Sequence, residues 1–306
     1  MHKYTYYNEI EGGVIMNDDY KFFMNIFFFV WPRCRMKCKY CLERNTNNYG
    51  DFDKKDIIKI LQIFGQEKVK RVWLTGGEAT TCPYILDYIN ICKENNIKPM
   101  FSTQDGKALK NLSKNLYDID IQLSLNGLYD DHDEITQVKN SFYDIEDAVN
   151  EININCYNHD IRISARFILR PECASKVEDY VNWCINHNIK KIYFSNISSS
   201  GKGKEYIEKN GKIPRDKFSK LLTNVSKKYQ GIVDIETKSN GKQGDLCGVY
   251  PNGDLYVRPV DSAENGNLLL GNLFKDNPKD MYKRFKDDYP DLCSNYIEKI
   301  KSDGTL

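Results

Sequence analysis

Three cysteines stand close together near the start of the chain. Cys34, Cys38 and Cys41 are separated by three and two residues, in the stretch Cys-Arg-Met-Lys-Cys-Lys-Tyr-Cys. Because thiolates are the ligands that soft metals and iron–sulfur clusters select, this stretch indicates such a site. A structural zinc needs a fourth ligand close by, whereas the next cysteine is Cys82 and the next histidine is His132. The spacing therefore favours an iron–sulfur cluster with one iron left open for chemistry.

The same cysteines resemble the signature of a known enzyme superfamily. Their spacing, with the aromatic residue Tyr40 directly before the last cysteine, is similar to that of the radical S-adenosylmethionine (radical SAM) enzymes. In that family the open iron chelates SAM, and an electron from the cluster cleaves it to methionine and a 5′-deoxyadenosyl radical, which abstracts a substrate hydrogen. The resemblance implies a 4Fe–4S cluster on Cys34, Cys38 and Cys41, SAM as cofactor, oxygen sensitivity and a flavodoxin- or ferredoxin-type electron donor.

Length, charge and hydropathy narrow the class of protein. A chain of 306 residues suits one large α/β domain with a small appendage. A net charge of +1 gives no general attraction to nucleic acid or membranes. Since the sequence predicts neither a membrane span nor a signal peptide, we expect a cytoplasmic protein. Its ten cysteines are then expected to be reduced thiols or ligands.

Alternating strands and helices are predicted to position the cysteines. The apolar run 22–30 predicts a first strand, and the cysteine stretch leaves its carboxyl end. Further strands are predicted at 69–74, 99–103, 119–125, 161–169 and 191–196, and helices at 53–68, 83–95, 108–116, 142–154 and 176–186. This alternation predicts an α/β fold, a partial (β/α)6 TIM-like barrel. Active groups of such barrels lie on the loops after the strands.

Gly76-Gly77-Glu78 follows the second predicted strand and resembles the Gly-Gly-Glu element of the radical SAM family. In the family this backbone receives the ammonium group of SAM. Glycines let backbone carbonyls approach a cation, and a carboxylate offsets its charge. Ala79 stands where the family usually has proline.

Five further residues are predicted SAM contacts. The resemblance implies that Ser124 and Asn126, at the end of the fourth strand, bind the ribose or carboxylate of SAM, or Ser124 is only a strand-end hydroxyl. Tyr40 is expected to pack against adenine, or simply against the protein. Thr103 is expected to face SAM. Arg166 either faces SAM or is a buried ion-pair partner.

Beyond residue 230 the pattern changes to short strands and turns. Asn252-Gly253 between apolar runs predicts a hairpin. The stretch 247–258 and Gly271-Asn272-Leu273 resemble the twitch or SPASM extension of radical SAM enzymes. We therefore predict a lead-in at 1–20, the partial barrel at 21–230 and a small α+β, twitch-like subdomain at 231–306.

The predicted extension departs from its family at one position. A cysteine that normally ligates an auxiliary iron–sulfur cluster is replaced by Arg258, and only Cys247 and Cys293 remain in the region. We therefore expect no auxiliary cluster. Arg258 either binds a substrate carboxylate or phosphate or lies on the surface.

The resemblance implies a hydrogen-abstracting enzyme whose first candidate substrate is a ribosomally made peptide, crosslinked or epimerised. The alternative is a small polar metabolite, because only about twenty residues precede the first strand and no leader-binding domain is expected. A peptide leader would then be recognised by a separate protein. An epimerisation needs a hydrogen donor, for which Cys247 is the candidate.

A hypothesis of another class is a non-catalytic iron–sulfur or zinc protein that serves as a sensor or scaffold. It predicts metal binding without SAM cleavage. The set Gly76, Gly77, Glu78 and Ser124 argues against it, since a sensor has no need of SAM contacts.

Overall fold

The structure, a computed structural model, describes residues 8–10, 13–15, 23–41, 52–155, 160–199, 201–237, 247–257 and 268–294. Two short strands, β1 (Asn8–Ile10) and β2 (Gly13–Ile15), pair with each other as an antiparallel hairpin. The other ten strands form one sheet. No helix in the described part of the chain is long and apolar enough to cross a membrane.

The large sheet is mostly parallel. Its strands are β3 (Asn25–Trp31), β4 (Arg71–Gly76), β5 (Lys98–Thr103), β6 (Ile119–Leu125), β7 (Ile161–Leu169), β8 (Lys191–Asn196), β9 (Asp234–Thr237), β10 (Cys247–Val249), β11 (Asp254–Val257) and β12 (Leu268–Asn272). They lie in the order β12-β11-β10-β3-β4-β5-β6-β7-β8-β9. All neighbours from β10 to β9 pair in parallel, and β10, β11 and β12 pair antiparallel.

Helices connect the parallel strands, and the last helix follows β12. They are α1 (Lys54–Gln66), α2 (Ile85–Glu94), α3 (Gly106–Ser113), α4 (Tyr129–Thr136), α5 (Ser141–Asn155), α6 (Val177–Asn186), α7 (Gly203–Asn210), α8 (Arg215–Lys228) and α9 (Pro278–Asp288). Short 3-10 helices cover Ala79–Thr81 and Pro171–Lys176. This confirms the predicted α/β fold of the partial-barrel type.

Residues alternate between the two faces of the sheet. Phe28 of β3 faces the helices, where its ring meets that of Phe64 on α1 edge to face at 5.4 Å. Phe27 points the other way and stacks on Trp73 of β4 at 4.9 Å. We call the side with Phe27 and Trp73 the inner face. The main apolar core lies between the opposite face and the helices.

Helix α1 illustrates how local sequence produces the helix layer. Asp53 caps its amino end by accepting a hydrogen bond from the backbone of Lys55 at 2.8 Å. The helix buries Ile57, Ile60, Leu61 and Phe64, whose spacing of three and four residues forms one apolar stripe. Each such side chain contributes roughly 1.5–3 kcal/mol when fully buried.

Two helices differ from the predicted pattern. Helix α4 has the polar sequence Tyr-Asp-Asp-His-Asp-Glu-Ile-Thr and buries only His132, Ile135 and Thr136, so its apolar periodicity is too weak to predict a helix. Helix α7 follows a stretch rich in Gly, Ser and Lys, and Gly203 at its start is its one buried residue. Both helices prove to lie against the cysteine stretch.

Strands beyond residue 230 continue the barrel sheet at both edges. Strand β9 pairs with β8, with Glu236 opposite Tyr193. Strand β10 pairs with β3, with Gly248 opposite Phe27. Gly253, with a φ of +86°, lies in the turn of the predicted hairpin between β10 and β11. The predicted boundary between residues 230 and 231 stays a prediction.

Candidate active site

The cysteine stretch leaves β3 as a loop that α4 and α7 hold in place. The backbone amides of Lys37 and Lys39 donate to the carbonyls of Thr136 and Ile135, at the end of α4, at 2.9 and 3.1 Å. The carbonyl of Cys41 accepts from the backbone of Lys202, at the start of α7, at 3.2 Å. The loop backbone is therefore positioned from both sides.

The three thiols of this loop influence one another. Although Cys34 is exposed at the surface, the protein atoms packed around its sulfur and, to a lesser extent, the charges of Glu78, Cys38 and Cys41 raise the pKa of its thiol to about 12. Burial likewise raises the pKa of Cys38 to about 12. Negative charge on these sulfurs therefore needs a cationic partner, which iron supplies.

The chemistry of the three thiols suits an iron–sulfur cluster. Within the described residues, no three Cys, His, Asp or Glu side chains lie close enough to chelate one ion. The ligand sulfurs of an iron–sulfur cluster bind different irons and lie further apart than the ligands of one ion. With Cys34 exposed and Cys38 buried, the donor set fits a cluster reached from one side.

Gly76, the last residue of β4, and Gly77 lie against the start of the cysteine loop. Gly76 has a φ of +132°, and a Cβ atom there would lie 2.1 Å from the carbonyl oxygen of Trp31. A Cβ atom on Gly77 would lie 2.5 Å from the carbonyl oxygen of Arg33. The backbone of Gly77 donates to Trp31 at 2.7 Å. The glycines thus permit close contact between two loops, a role that the sequence did not indicate.

Glu78 and Thr103 connect the loops after β4 and β5. Glu78 is 3% exposed, and its carboxylate accepts from the hydroxyl of Thr80 at 2.6 Å and the backbone of Gln104 at 3.1 Å. Burial raises its pKa, against the opposing effect of those hydrogen bonds. The hydroxyls of Thr80 and Thr103 lie 3.3 Å apart, and Thr103 accepts from the backbone of Asp105 at 3.0 Å.

An ion pair that sequence reasoning missed holds the cysteine loop to α3. Nη2 of Arg35 donates to Asp105 at 2.8 Å, and Asp105 caps α3 by accepting from the backbone of Ala108 at 3.1 Å. Burial disfavours the Asp105 carboxylate, but the hydrogen bonds and charge of Arg35 prevail and lower its pKa. The available signal was Asp105-Gly106 directly before a predicted helix.

Asn126 is the centre of a buried polar network after β6. Its side-chain oxygen accepts from the hydroxyl of Tyr40 at 2.5 Å, and its amide nitrogen donates to Oε1 of Gln104 at 3.2 Å. Nε2 of Gln104 in turn lies 3.0 Å from Sγ of Cys38. The ring of Tyr40 meets Tyr206 of α7 edge to face at 5.4 Å.

The backbone of Asn126 is fixed as well. Its amide donates to Nδ1 of His132 at 3.1 Å, and its carbonyl accepts from Nη1 of Arg170 at 2.5 Å. Burial lowers the pKa of His132 to about 4, so the ring is neutral and accepts this hydrogen bond. His132 therefore positions the backbone of Asn126. Arg170, which the sequence did not indicate, is 1% exposed and also binds Glu172 at 2.6 Å.

Ser124 and Arg166 lie side by side on the inner face. They are register partners on β6 and β7, and Tyr193 of β8 follows in the same row. Nε of Arg166 donates to the hydroxyl of Ser195 at 3.2 Å, and burial lowers the pKa of the guanidinium. No carboxylate of the described residues forms an ion pair with Arg166. An anionic ligand would supply the missing charge.

Most of the predicted site residues therefore come together, and one does not. The cysteine loop, Gly76, Gly77, Glu78, Thr103 and Asn126 meet at the carboxyl ends of β3 to β6. Cys247 instead lies opposite Ile26, on the face of the sheet that packs against the helices, and is 2% exposed. The structure does not bring Cys247 to the site. Arg258 lies outside the described residues.

Comparisons with known proteins agree with this arrangement. Residues 28–184 match the family model of the radical SAM superfamily. An uncharacterized protein of Methanocaldococcus jannaschii is 26% identical over 259 residues, which cover 80% of this chain and 86% of that protein. GTP 3′,8-cyclase of Clostridium perfringens is 25% identical over 187 residues, 57% of this chain. The match spans only about half, 55%, of the cyclase.

Solved structures share the fold. The crystal structure of Streptococcus suis SuiB bound to its precursor peptide SuiA superposes with a TM-score of 0.65 at 17% identity. The match covers 90% of this chain and 66% of SuiB.

Proposed function

The chain belongs to the radical SAM superfamily, and from this premise we propose that it modifies a ribosomally made peptide by a crosslink or an epimerisation. It is an enzyme whose family implies SAM and a 4Fe–4S cluster as cofactors. When bound, these groups supply a carbon-centred radical that removes one hydrogen atom from the substrate. Everything else that the reaction needs is binding and positioning by the protein.

We propose Cys34, Cys38 and Cys41 as the three cluster ligands. The observation that carries this assignment is the loop itself, because its backbone is held by α4 and α7 and its thiols raise one another's pKa. Ion pairing of Arg35 with Asp105 holds the same loop to α3. A loop fixed on three sides presents its sulfurs in one arrangement, as a pre-organised metal site requires.

Arg166 is the proposed partner of the SAM carboxylate. It is a half-buried cation with no acidic partner among the described residues, and Ser124 lies beside it on the inner face. The carbonyls of Gly76 and Gly77 are the proposed acceptors for the ammonium group, near the carboxylate of Glu78. Tyr40, Thr103 and Asn126 remain proposed SAM contacts. Their hydrogen bonds within the protein hold them at the strand ends.

A peptide is supported as substrate by the composition of the inner face. In the halves of the described barrel strands next to the cysteine loop, Arg166 is the one cation on that face. On the same face Phe27 and Trp73, both half-buried, stack on each other at 4.9 Å, whereas Phe29 and Tyr250 are at most 3% exposed. Aromatic walls suit apolar side chains of a peptide. The similar fold of SuiB binds a precursor peptide.

A nucleotide is the second candidate substrate, because a relative is GTP 3′,8-cyclase. A nucleoside triphosphate carries several negative charges and is usually held by more than one Arg, Lys or metal ion. If Arg166 binds the SAM carboxylate, the described strand halves next to the cysteine loop offer no second cation on the inner face for the phosphates. This arrangement favours the peptide over the triphosphate.

The test compares substrates by their effect on SAM cleavage. The reconstituted, reduced enzyme is incubated with SAM and either GTP, CTP or a synthetic pool of short peptides, and 5′-deoxyadenosine is measured against a substrate-free baseline. We expect that the peptides raise the formation of 5′-deoxyadenosine and that GTP and CTP do not. Mass spectra should then show a peptide product that has lost hydrogen. Stimulation by GTP without any by peptides would contradict the peptide proposal and support the nucleotide.

The remaining partners and cofactors are also proposals. We propose no auxiliary cluster, since Cys247 and Cys293 are the two cysteines of the described C-terminal residues. An iron content of about four per chain, rather than about eight, would support this.

Arg33 and Lys37 are exposed beside the cysteines, which supports an acidic electron carrier of the flavodoxin or ferredoxin type. A separate protein remains the proposed reader of any leader peptide.

A further inference from the structure

A side-chain amide points at the sulfur of one proposed cluster ligand. Nε2 of Gln104, in the loop after β5, lies 3.0 Å from Sγ of Cys38. We infer that Gln104 raises the reduction potential of the cluster by donating a hydrogen bond to the Cys38 sulfur. This inference rests on the proposed ligation of the cluster by Cys38.

The orientation of the Gln104 amide is set by its neighbours. Its oxygen accepts from Nδ2 of Asn126 at 3.2 Å, and Asn126 is itself oriented by the hydroxyl of Tyr40. Because the sulfur of a ligating cysteine carries no proton and can only accept, the NH2 group of Gln104 faces the sulfur and its oxygen faces Asn126. The backbone amide of Gln104 donates to Glu78 at 3.1 Å, which fixes the main chain as well.

These hydrogen bonds form a chain that begins and ends in the cysteine loop. Tyr40 binds Asn126, Asn126 binds Gln104, and Gln104 binds Cys38, two residues before Tyr40. Tyr40 and Asn126 are 8% and 5% exposed, so water competes little for these groups. The donor is therefore held at the sulfur rather than free to rotate away.

A held donor favours the reduced cluster. Reduction transfers one electron from the external reductant to the cluster and breaks no bond, and it increases the negative charge that the sulfurs share. An N–H dipole aimed at a sulfur stabilises this added charge and raises the potential. The same amide also opposes the effect of burial on the pKa of Cys38. Gln104 is thus a positioning residue that acts through a ligand.

The test measures the midpoint potential of the reconstituted cluster by an EPR-monitored redox titration. In Gln104→Leu we expect the ratio of reduced to oxidised cluster at a fixed potential to fall about tenfold, a downward shift of about 59 mV for one electron. Gln66→Leu, the same substitution at an exposed site on α1, should leave the potential unchanged. Equal potentials in wild type and Gln104→Leu, or a higher one in the variant, would overturn the inference.

A second variant covers the case in which Gln104→Leu fails to hold a cluster. Gln104→Asn keeps the amide but withdraws it by one methylene, and we expect a lower potential together with a shifted Fe–S stretching band in resonance Raman spectra. An unshifted band and potential in this variant would also overturn the inference. A wild-type protein that holds no cluster would refute the proposed ligation itself, whereas a loaded wild type with unshifted variants would refute only the role of Gln104.

Discussion

The two ends of the barrel strands hold their polar groups in different ways. At the carboxyl ends, Glu78, Asp105, Asn126 and His132 are at most 5% exposed, and each is hydrogen-bonded within the protein. At the amino ends, charges meet at the surface, as in the pair of Arg162 with Asp120 at 2.8 Å, where the arginine is 60% exposed.

This difference assigns different tasks to the two ends. Breaking a buried polar contact leaves a group without a partner and costs about 1–3 kcal/mol, whereas an exposed ion pair contributes about 0–1 kcal/mol. The buried hydrogen bonds therefore fix the side chains at the carboxyl end in one arrangement. A site that must hold a cluster and a cofactor next to each other requires such rigidity. At the amino ends the charged side chains only need to stay in contact with water.

The largest effect is expected from Gly76→Ala, which would break the contact between two loops at the carboxyl end. The new Cβ atom would lie 2.1 Å from the Trp31 carbonyl at a φ of +132°. We expect a loss of at least about 4 kcal/mol in the free energy of unfolding, measured by urea titration.

Gly231→Ala is the matched control for that substitution. Gly231 also has a positive φ, +80°, but a Cβ atom there meets nothing within 4 Å. We expect it to cost only about 1 kcal/mol, from backbone strain. Equal losses in the two variants would show that the loop contact is not tight.

The next effect concerns pH and the buried ring of His132. Its pKa falls from 6.5 to about 4 in the folded protein, so the unfolded chain binds the proton more tightly. Stability from this group is complete above pH 6.5 and is lost as the pH falls towards 4. At about 1.4 kcal/mol for each tenfold change in proton affinity, the loss reaches about 3 kcal/mol.

His132→Gln isolates this contribution, because glutamine does not titrate and still offers an acceptor. The unfolding free energy is measured at pH 7 and at pH 4. Its decrease between these two pH values should be larger in the wild type than in the variant, by about 3 kcal/mol. The same pH dependence in both proteins would show that His132 is charged or exposed in the folded state.

A smaller effect, on SAM binding, is expected at Arg166 on the inner face. Arg166→Gln removes a cation without an acidic partner in the described residues, and we expect the Kd of SAM for the reconstituted enzyme to rise about 10- to 100-fold. Isothermal titration calorimetry under anaerobic conditions measures this. An unchanged Kd would remove Arg166 from the proposed SAM site.

The smallest effect is expected at the amino end of the same strand. Arg162→Gln breaks the exposed pair with Asp120, and the unfolding free energy should change by no more than about 1 kcal/mol. SAM affinity should stay at the wild-type value. A large loss in either measurement would contradict the contrast between the two ends of the strands.

The sequence was sufficient for several strands of the barrel. The predicted spans 119–125, 161–169 and 191–196 coincide with β6, β7 and β8, because each is an apolar run of strand length between turn residues. The ordered motifs after successive strands then followed from the rule that carboxyl ends of parallel strands meet at one side.

The partners of the motif residues were beyond sequence reasoning. Gln104 and Cys38 are 66 positions apart, and Arg35 and Asp105 are 70 apart, so no local pattern connects them. Helix α4, which binds the cysteine loop, has a polar sequence in which only three residues are buried. Its stability comes from tertiary contacts, which local periodicity does not report.

The central claim is that Cys34, Cys38 and Cys41 bind the cluster that cleaves SAM. The most direct measurement is anaerobic reconstitution with iron and sulfide, then dithionite and SAM, with iron and 5′-deoxyadenosine assayed in wild type, Cys38→Ala and Cys92→Ala. Cys92 is a buried cysteine on α2, away from the loop. We predict about four irons per chain and deoxyadenosine in the wild type and Cys92→Ala, and neither in Cys38→Ala. Cluster and deoxyadenosine retained in Cys38→Ala, or zinc bound in place of iron by the wild type, would contradict the claim.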